Sequence, residues 1–413
     1  MLHAGRTLTA SILRRASRGQ SHLAIACAAL ALFAATHLTT GRIQVDDGKG
    51  WDGAEYAAML TEGLGQGTRV TELRPVVVLL NRPAYWITGD PVRAFDLMNF
   101  IYAFALALGL IALMDRYGAS MWMKVYAIAT LFVTIAMSRM PAYYPILIDL
   151  GAYTIVTLAL LAVLACRRVA AMIACVVAAL SREYAIAVAA FGIVRGLRQR
   201  TPLWTIVGTY APAFVAWAGI RLIVQYVWAG KGQLRQADWL KNNTHLWNDP
   251  FFAALFVYFL LTVCGGLGIL LAGDARRAGR FLRSEPEWLA FLVPISLAGA
   301  FGGPEMWRYL ACLAPALVVM LAVVSREWPR LQRAVFLIAG AVLTMFTQRP
   351  FATVTLSNYF ADWFPYYVAQ HDVPAVAQVP LMPQWGWRLL AVALAPWALG
   401  VASRAMKPSL IPD

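Results

Sequence analysis

The 413-residue sequence predicts an all-α fold, that of a polytopic integral membrane protein. Hydrophobic residues make up 60% of the chain and charged residues 14%, whereas a soluble domain carries about 25% charged residues. The apolar residues also form long blocks, such as SHLAIACAALALFAATHL and FFAALFVYFLLTVCGGLGILLAG. As helices, blocks of roughly 18 residues or more match the hydrocarbon core of a bilayer. We therefore expect one transmembrane domain over residues 1–413.

The positions of Lys and Arg predict the orientation of the spans, because basic loops remain cytoplasmic. Basic clusters occur at 6–18, 116–124, 166–168, 195–200, 274–283 and 326–333 and at the C-terminus. With these segments inside, both termini are cytoplasmic and about 10 full spans follow. Their predicted bounds are 21–40, 95–114, 123–140, 145–165, 203–228, 251–272, 288–303, 306–325, 333–347 and 386–403. The first is read as an uncleaved signal anchor, and the chain is expected in a bacterial inner membrane.

The formal net charge of +14 is assigned to the cytoplasmic face, where anionic lipid explains it and no nucleic-acid partner is implied. The five cysteines lie in or beside apolar segments without CxxC spacing, which indicates small hydrophobic residues. The histidines show no HExxH pattern, so no zinc site is expected. No GxxxxGK[ST] motif occurs either, which argues against an ATPase.

One segment, 169–195, breaks the simple alternation of spans because basic clusters flank it on both sides. Each apolar arm beside the sequence SREY has about 12 residues, or about 18 Å of helix, too short to cross a core of about 30 Å. We predict a re-entrant helical hairpin that enters from the cytoplasm. Its tip, with Arg182 and Glu183, should then lie at the floor of a cavity, since irregular backbone at that depth needs protein or water around it.

Two long segments, 41–94 and 348–385, are predicted as outer loops. The first contains two amphipathic pieces, WDGAEYAAMLTEGL and RPVVVLLNRPAYWITG, which we expect to form juxtamembrane helices. The second contains NYFADWFPYYVAQHDVP, whose aromatic residues suit the membrane interface. Both loops are therefore predicted on the outer side, above the cavity whose floor is the tip of the hairpin.

The polar residues of this outer side are the candidate site. Asp52, Glu55 and Tyr56 follow an i, i+3, i+4 spacing and share one helix face. The sequence GGPEMWRYLACLAP repeats that spacing with three further residues. Each group alone has an ordinary explanation, such as a solvated loop, a snorkelling arginine or a structural ion pair. Together they predict one outward-facing polar cavity, because ionisable residues at membrane depth face a cavity with a partner. The other candidates are Arg74, Arg82, Asp149, Arg182, Glu183, Glu305, Arg308 and Tyr309.

These motifs resemble the GT-C class of membrane glycosyltransferases, which take a sugar from a polyprenyl-phosphate carrier. The resemblance rests on WDGAEYAAML after the first span, on RPVVVLLNRPAYW, on SREYA and on WRYLACLAP. In layout the chain is similar to the protein O-mannosyltransferases, to the aminoarabinose transferase of lipid A and to uncharacterised bacterial relatives. Two departures stand out: Gly53 follows Asp52 where the O-mannosyltransferase-like members often have Glu, and no clean DxD is present.

The resemblance implies a GT-C-like fold and places Asp52 at the family's catalytic aspartate. A carboxylate there serves as general base toward an acceptor hydroxyl, and an arginine, Arg308 first and Arg182 second, stabilises the departing phosphate. The remaining acids orient these groups or bind sugar hydroxyls, and Tyr56 and Tyr309 line the cavity.

The implied partners are a polyprenyl-phosphate sugar donor, membrane lipid and a glycan, lipid or protein acceptor, with the active site facing the periplasm or outside. No cofactor is certain from the resemblance; a divalent metal, Mg²⁺ or Mn²⁺, stays open. The alternative is a transporter or flippase of a lipid-linked or small anionic solute. It ranks second because the sequence shows no internal repeat and its polar residues are biased to one side.

Overall fold

The computed structural model describes residues 2–66, 71–227, 243–303, 305–370 and 381–406. Within these ranges all regular structure is helical and no strand occurs, which confirms the all-α prediction. A π-helical turn covers Ile135–Arg139, and short 3₁₀ turns cover Glu183–Ile186, His245–Asn248, Ala311–Leu313 and Ser325–Glu327. The described α-helices are α1 (Leu2–Thr40), α2 (Asp52–Thr61), α3 (Pro75–Leu80), α4 (Arg82–Thr88), α5 (Pro91–Arg116), α6 (Met121–Phe132), α7 (Met140–Tyr143), α8 (Asp149–Leu164), α9 (Arg168–Ala179), α10 (Ala187–Arg198), α11 (Leu203–Tyr226), α12 (Pro250–Thr262), α13 (Leu267–Gly273), α14 (Ala275–Ser284), α15 (Glu287–Phe301), α16 (Met306–Leu310), α17 (Ala314–Val324), α18 (Arg330–Gln348), α19 (Leu356–Trp363), α20 (Pro365–Gln370) and α21 (Leu381–Ala405).

Six stretches of the described chain are long and apolar enough to cross a membrane: Gly19–Thr40, Pro91–Arg116, Leu203–Tyr226, Met306–Glu327, Arg330–Gln348 and Trp385–Ala405. Two bent pairs raise the number to eight if each is one span: α6 with Ile135–Tyr143, bent by 64°, and α12 with α13, bent by 94°. The predicted spans 145–165 and 288–303 instead form helices α8 and α15, of 16 and 15 residues. The chain is thus a multi-pass membrane protein, and the count of about ten stays a prediction.

The predicted hairpin has the expected shape of two 12-residue helices, α9 and α10, joined by a short irregular segment. Both arms pack along α11. Arg168, at the start of one arm, lies 5.9 Å from the Trp204 ring centroid, and Gly196, near the end of the other, packs against Ile206. At the tip, the Trp217 indole donates a hydrogen bond of 2.8 Å to the backbone carbonyl of Glu183. The start of α9 and the end of α10 therefore lie at the same end of α11.

The depth of the hairpin follows from the length of α11 that it covers. From Trp204 to Trp217 the helix rises about 20 Å, at about 1.5 Å per residue. This is less than the roughly 30 Å of a hydrocarbon core, so a hairpin entering from one face would end within the membrane. That the entry face is the cytoplasmic one stays a prediction.

The topology can be tested by labelling cysteines with a membrane-impermeant maleimide. Exposed Cys27 and Cys166 are first replaced by Ser, because they would react themselves. Arg167→Cys and Leu197→Cys occupy exposed positions near the two ends of the hairpin, and both should react from the cytoplasmic side. Exposed Trp86→Cys in α4 is the matched outer-side control. Reaction of the position-197 cysteine from outside would rule out the re-entrant topology.

Ion pairs tie the helices together at the end of the bundle opposite the hairpin tip. Arg198, at the end of α10, pairs with Glu285 at 2.9 Å and with Glu287 at 2.7 Å. His22 of α1 lies 2.8 Å from Asp115 of α5. These contacts lie at the predicted inner face, so they fix the hairpin and its neighbours at one end while the candidate site lies at the other.

Candidate functional site

A network of buried charges lies where the first turns of α2 and α8, helix α16 and the hairpin tip meet. At its centre the Asp149 carboxylate accepts a hydrogen bond from Arg308 Nε at 2.9 Å and pairs with Arg182. Arg308 also contacts Glu305 and lies 3.5 Å from Asp52, between Nη1 and Oδ2. Three segments far apart in the sequence thus meet at Arg308, and Asp149 connects a fourth, the hairpin tip, through Arg182.

The two arginines of this network are fixed from several sides. The Tyr153 hydroxyl donates a hydrogen bond of 2.7 Å to the backbone carbonyl of Arg308. The guanidinium of Arg182 lies 5.8 Å from the ring centroids of both Tyr184 and Tyr309, a cation–π arrangement. Both guanidiniums are almost fully buried; among the described residues Arg182 pairs with Asp149 alone, whereas Arg308 also pairs with Glu305 and Asp52.

The start of α2 is held by a backbone contact that explains the glycine after Asp52. The amide of Gly53 donates to the Tyr144 hydroxyl at 2.9 Å. A Cβ at Gly53 would lie 2.0 Å from Cγ2 of Ile146, so no larger residue fits without displacing the helix. The Asp52 carboxylate therefore has a fixed position at the mouth of the site.

A second ion pair flanks the first. Arg74 pairs with Glu183 at 2.6 Å and donates to the Tyr56 hydroxyl at 3.2 Å. A carboxylate that is paired with a buried guanidinium in this way is a poor proton acceptor, which leaves the bases of the site elsewhere.

Solvent exposure separates the acids into two groups. The side chains of Asp52 and Glu305 are 46% and 36% exposed, whereas that of Asp149 is 6% exposed. Asp149 therefore holds the arginines from behind, and the other two carboxylates face outward on either side of Arg308. An incoming hydroxyl can reach Asp52 directly, and Arg308, with a side chain 3% exposed, lies beneath the two acids.

Ten of the eleven candidate residues lie in or beside this network, in the described part of the chain. Glu55 accepts a hydrogen bond of 2.6 Å from Thr71, which continues the network behind Tyr56. Arg82 is different: it begins α4, is half-buried and takes part in no ion pair among the described residues. Its predicted role in substrate binding gains no support from the geometry.

Sequence reasoning missed several residues that complete the site. Tyr144 and Tyr153 fall in or beside a predicted span, where buried tyrosines are common and carry no special signal. Arg221 of α11 lies 3.6 Å from the Trp217 ring centroid, on the indole that binds the hairpin tip. The sequence did contain a signal for Arg221, because an arginine inside an apolar span is costly and usually functional.

Among the described residues no group of three or more His, Cys, Asp and Glu is arranged to hold a metal ion. All five cysteines are free, in agreement with their reading as small hydrophobic residues. Comparison with protein-family models, with curated proteins and with solved structures finds no match for this chain. The function is therefore inferred from the geometry of the site and from the resemblance of its motifs.

Proposed function

We propose that the protein is a membrane glycosyltransferase that moves a sugar from a polyprenyl-phosphate carrier to an acceptor hydroxyl on the outer face of the membrane. The observation that carries the proposal is the exposed Asp52 carboxylate, fixed 3.5 Å from the buried guanidinium of Arg308. A base and a cation side by side match what this transfer needs, because the phosphate leaving group requires stabilisation rather than a proton. The GT-C resemblance of the motifs points the same way.

In the proposed reaction, Asp52 takes the proton of the acceptor hydroxyl as its oxygen attacks the anomeric carbon. The bond between that carbon and the phosphate oxygen breaks, and polyprenyl phosphate leaves with the bonding electron pair. Arg308 stabilises the negative charge that collects on the phosphate by charge-assisted hydrogen bonds. Asp149 and Arg182 are positioning residues, because Asp149 holds the Arg308 side chain and Arg182 holds Asp149.

The aromatic residues beside Asp52 supply a surface for a sugar ring. Trp51 is exposed, and its indole stacks on Tyr359 with ring centroids 6.0 Å apart and an interplanar angle of 22°. Val354 of the second outer loop also donates a backbone hydrogen bond of 2.9 Å to Thr40, the last residue of α1. The second outer loop therefore forms one wall of the entrance, where apolar faces of a sugar can pack against rings.

The proposal can be tested with the purified protein in detergent and a mixture of polyprenyl-phosphate sugars as donors. The expected products are free polyprenyl phosphate and glycosylated acceptor, with the acceptor class identified by comparing glycans and lipids of deletion and complemented strains. A transporter needs two separated compartments and makes neither product in detergent. Movement of donor across vesicles without release of polyprenyl phosphate would therefore favour the transporter.

A further inference from the structure

A second charged cleft lies beside the candidate site and contains none of its residues. It is formed by the π-helical turn Ile135–Arg139, the end of α18, helix α19 and the start of α21. Its charged lining residues are Arg139, Arg349, Arg388 and Asp362. Three guanidiniums thus share one carboxylate, the opposite balance from the acid-rich mouth around Asp52.

The one carboxylate is already occupied. Asp362 lies 2.9 Å from Arg388 and 3.7 Å from Arg349. Arg139 forms no ion pair among the described residues; its Nη atoms donate to the backbone carbonyls of Gln348 at 2.8 Å and Ala352 at 3.1 Å. These bonds fix the guanidinium but do not neutralise it, and a buried unneutralised charge is costly.

Three buried N–H groups of the cleft lining have no acceptor among the described residues: Arg139 Nε, Trp307 Nε1 and Trp363 Nε1. All three side chains are at most 2% exposed, and the Arg139 guanidinium lies 5.5 Å from the Trp363 ring centroid. Buried donors are nearly always paired in native proteins. Unpaired donors together with excess positive charge call for a ligand that is an acceptor and an anion.

We propose that this cleft binds a phosphate group. A phosphate has several acceptor oxygens and carries negative charge, so it satisfies both the indole N–H groups and the guanidiniums. Phe259 and Val263 add apolar lining. The free space of the cleft is about 10 Å³, that of one water molecule, so a phosphate enters when the exposed side chain of Arg349 moves aside. The proposal does not rest on the glycosyltransferase activity, because the cleft and the acidic site share no residue. Trp307 lines the cleft, and the next residue, Arg308, belongs to the acidic site.

The test uses the full chain purified in detergent, with the thermal unfolding midpoint as readout. One arm adds sodium phosphate, with sodium chloride of equal ionic strength as reference. The other arm adds short-chain phosphatidic acid, with the phosphate-free diacylglycerol as reference. We expect a concentration-dependent rise of the midpoint in at least one arm. Binding of inorganic phosphate at lower concentration identifies a soluble phosphate, and tighter binding of phosphatidic acid identifies a lipid headgroup.

Three variants assign the effect to the cleft. Arg388→Gln and Trp363→Phe each remove one interaction with an anion, worth roughly 10-fold or more in affinity. The Phe variant keeps an aromatic ring and removes the N–H, but it leaves a cavity where the larger indole packed, so its response is measured from its own ligand-free midpoint. Arg349→Gln alters a side chain that is 54% exposed, which protects the fold. Exposed Arg93→Gln, also at the predicted outer end, is the matched control and should respond as the parent protein does.

The proposal fails if neither probe raises the midpoint of the parent protein. It also fails if the variants Arg349→Gln, Arg388→Gln and Trp363→Phe keep the full response. A response that is lost in Arg308→Gln and retained in these three would assign phosphate binding to the acidic site instead. Loss in the cleft variants with retention in Arg308→Gln and Arg93→Gln supports the second site.

Discussion

Replacing Asp52 with Asn is expected to reduce sugar transfer by about 10²- to 10⁴-fold, the usual contribution of a general base. Asn has the same size as Asp and can still contact Arg308, so the fold should be retained, but it cannot accept the proton of the acceptor hydroxyl. The measurement is the rate of polyprenyl phosphate release, together with the thermal unfolding midpoint of the variant.

The matched control is Asp47→Asn. Asp47 is exposed in the same outer loop and has a φ of 51°, a conformation that Asn adopts readily. The Asp47→Asn substitution makes the same chemical change five residues from Asp52, and the rate of polyprenyl phosphate release should remain that of the parent protein. An unchanged rate in Asp52→Asn would remove this residue from the mechanism, whatever the control shows.

Replacing Asp149 with Asn should destabilise the protein by about 3–5 kcal/mol, because it leaves buried positive charge without its partner. Arg182 has no other carboxylate within ion-pair distance among the described residues, while Arg308 retains Asp52 and Glu305. The expected observation is a large fall in the thermal unfolding midpoint in detergent. Transfer activity should fall as well, since Arg308 loses the carboxylate that holds it from behind.

Glu327→Gln provides the comparison for that prediction. Glu327 also contacts two arginines, Arg277 and Arg280, but its side chain is 51% exposed. Surface ion pairs contribute roughly 0–1 kcal/mol, so its midpoint should change little. Equal midpoints for the Asp149 and Glu327 variants would contradict the role of Asp149 as the buried counter-ion of the site.

Most of the fold could be predicted because its signals are local. Apolar blocks gave helices at every predicted span, and basic clusters at both ends of 169–195 gave a hairpin with its tip at Arg182 and Glu183. The bends were not predictable in this way. The 94° turn between α12 and α13 falls inside one apolar run, and its signal is the pair Gly265–Gly266, with a φ of 68° at Gly265, rather than a break in hydrophobicity.

The site was predictable as a set of residues but not as a set of contacts. Asp149, Arg182 and Arg308 stood out as charges at membrane depth, yet which carboxylate meets which guanidinium depends on how distant helices pack. The second cleft was missed because its signal is weak: Arg139 lies at the end of a predicted span, where an arginine usually snorkels. Its partners Gln348 and Ala352 are more than 200 residues away.

The central ion pairs impose an order on the biosynthesis of the protein. Asp149 and the hairpin tip are translated close together, so Arg182 can meet its counter-ion as soon as the hairpin enters the membrane. Arg308 emerges 126 residues later, roughly 6–25 s at about 5–20 residues per second. During that interval Asp149 and Arg182 neutralise each other without a surplus charge. The nascent chain therefore inserts a neutral pair first, and the groups that face the substrate are completed when the late helices dock.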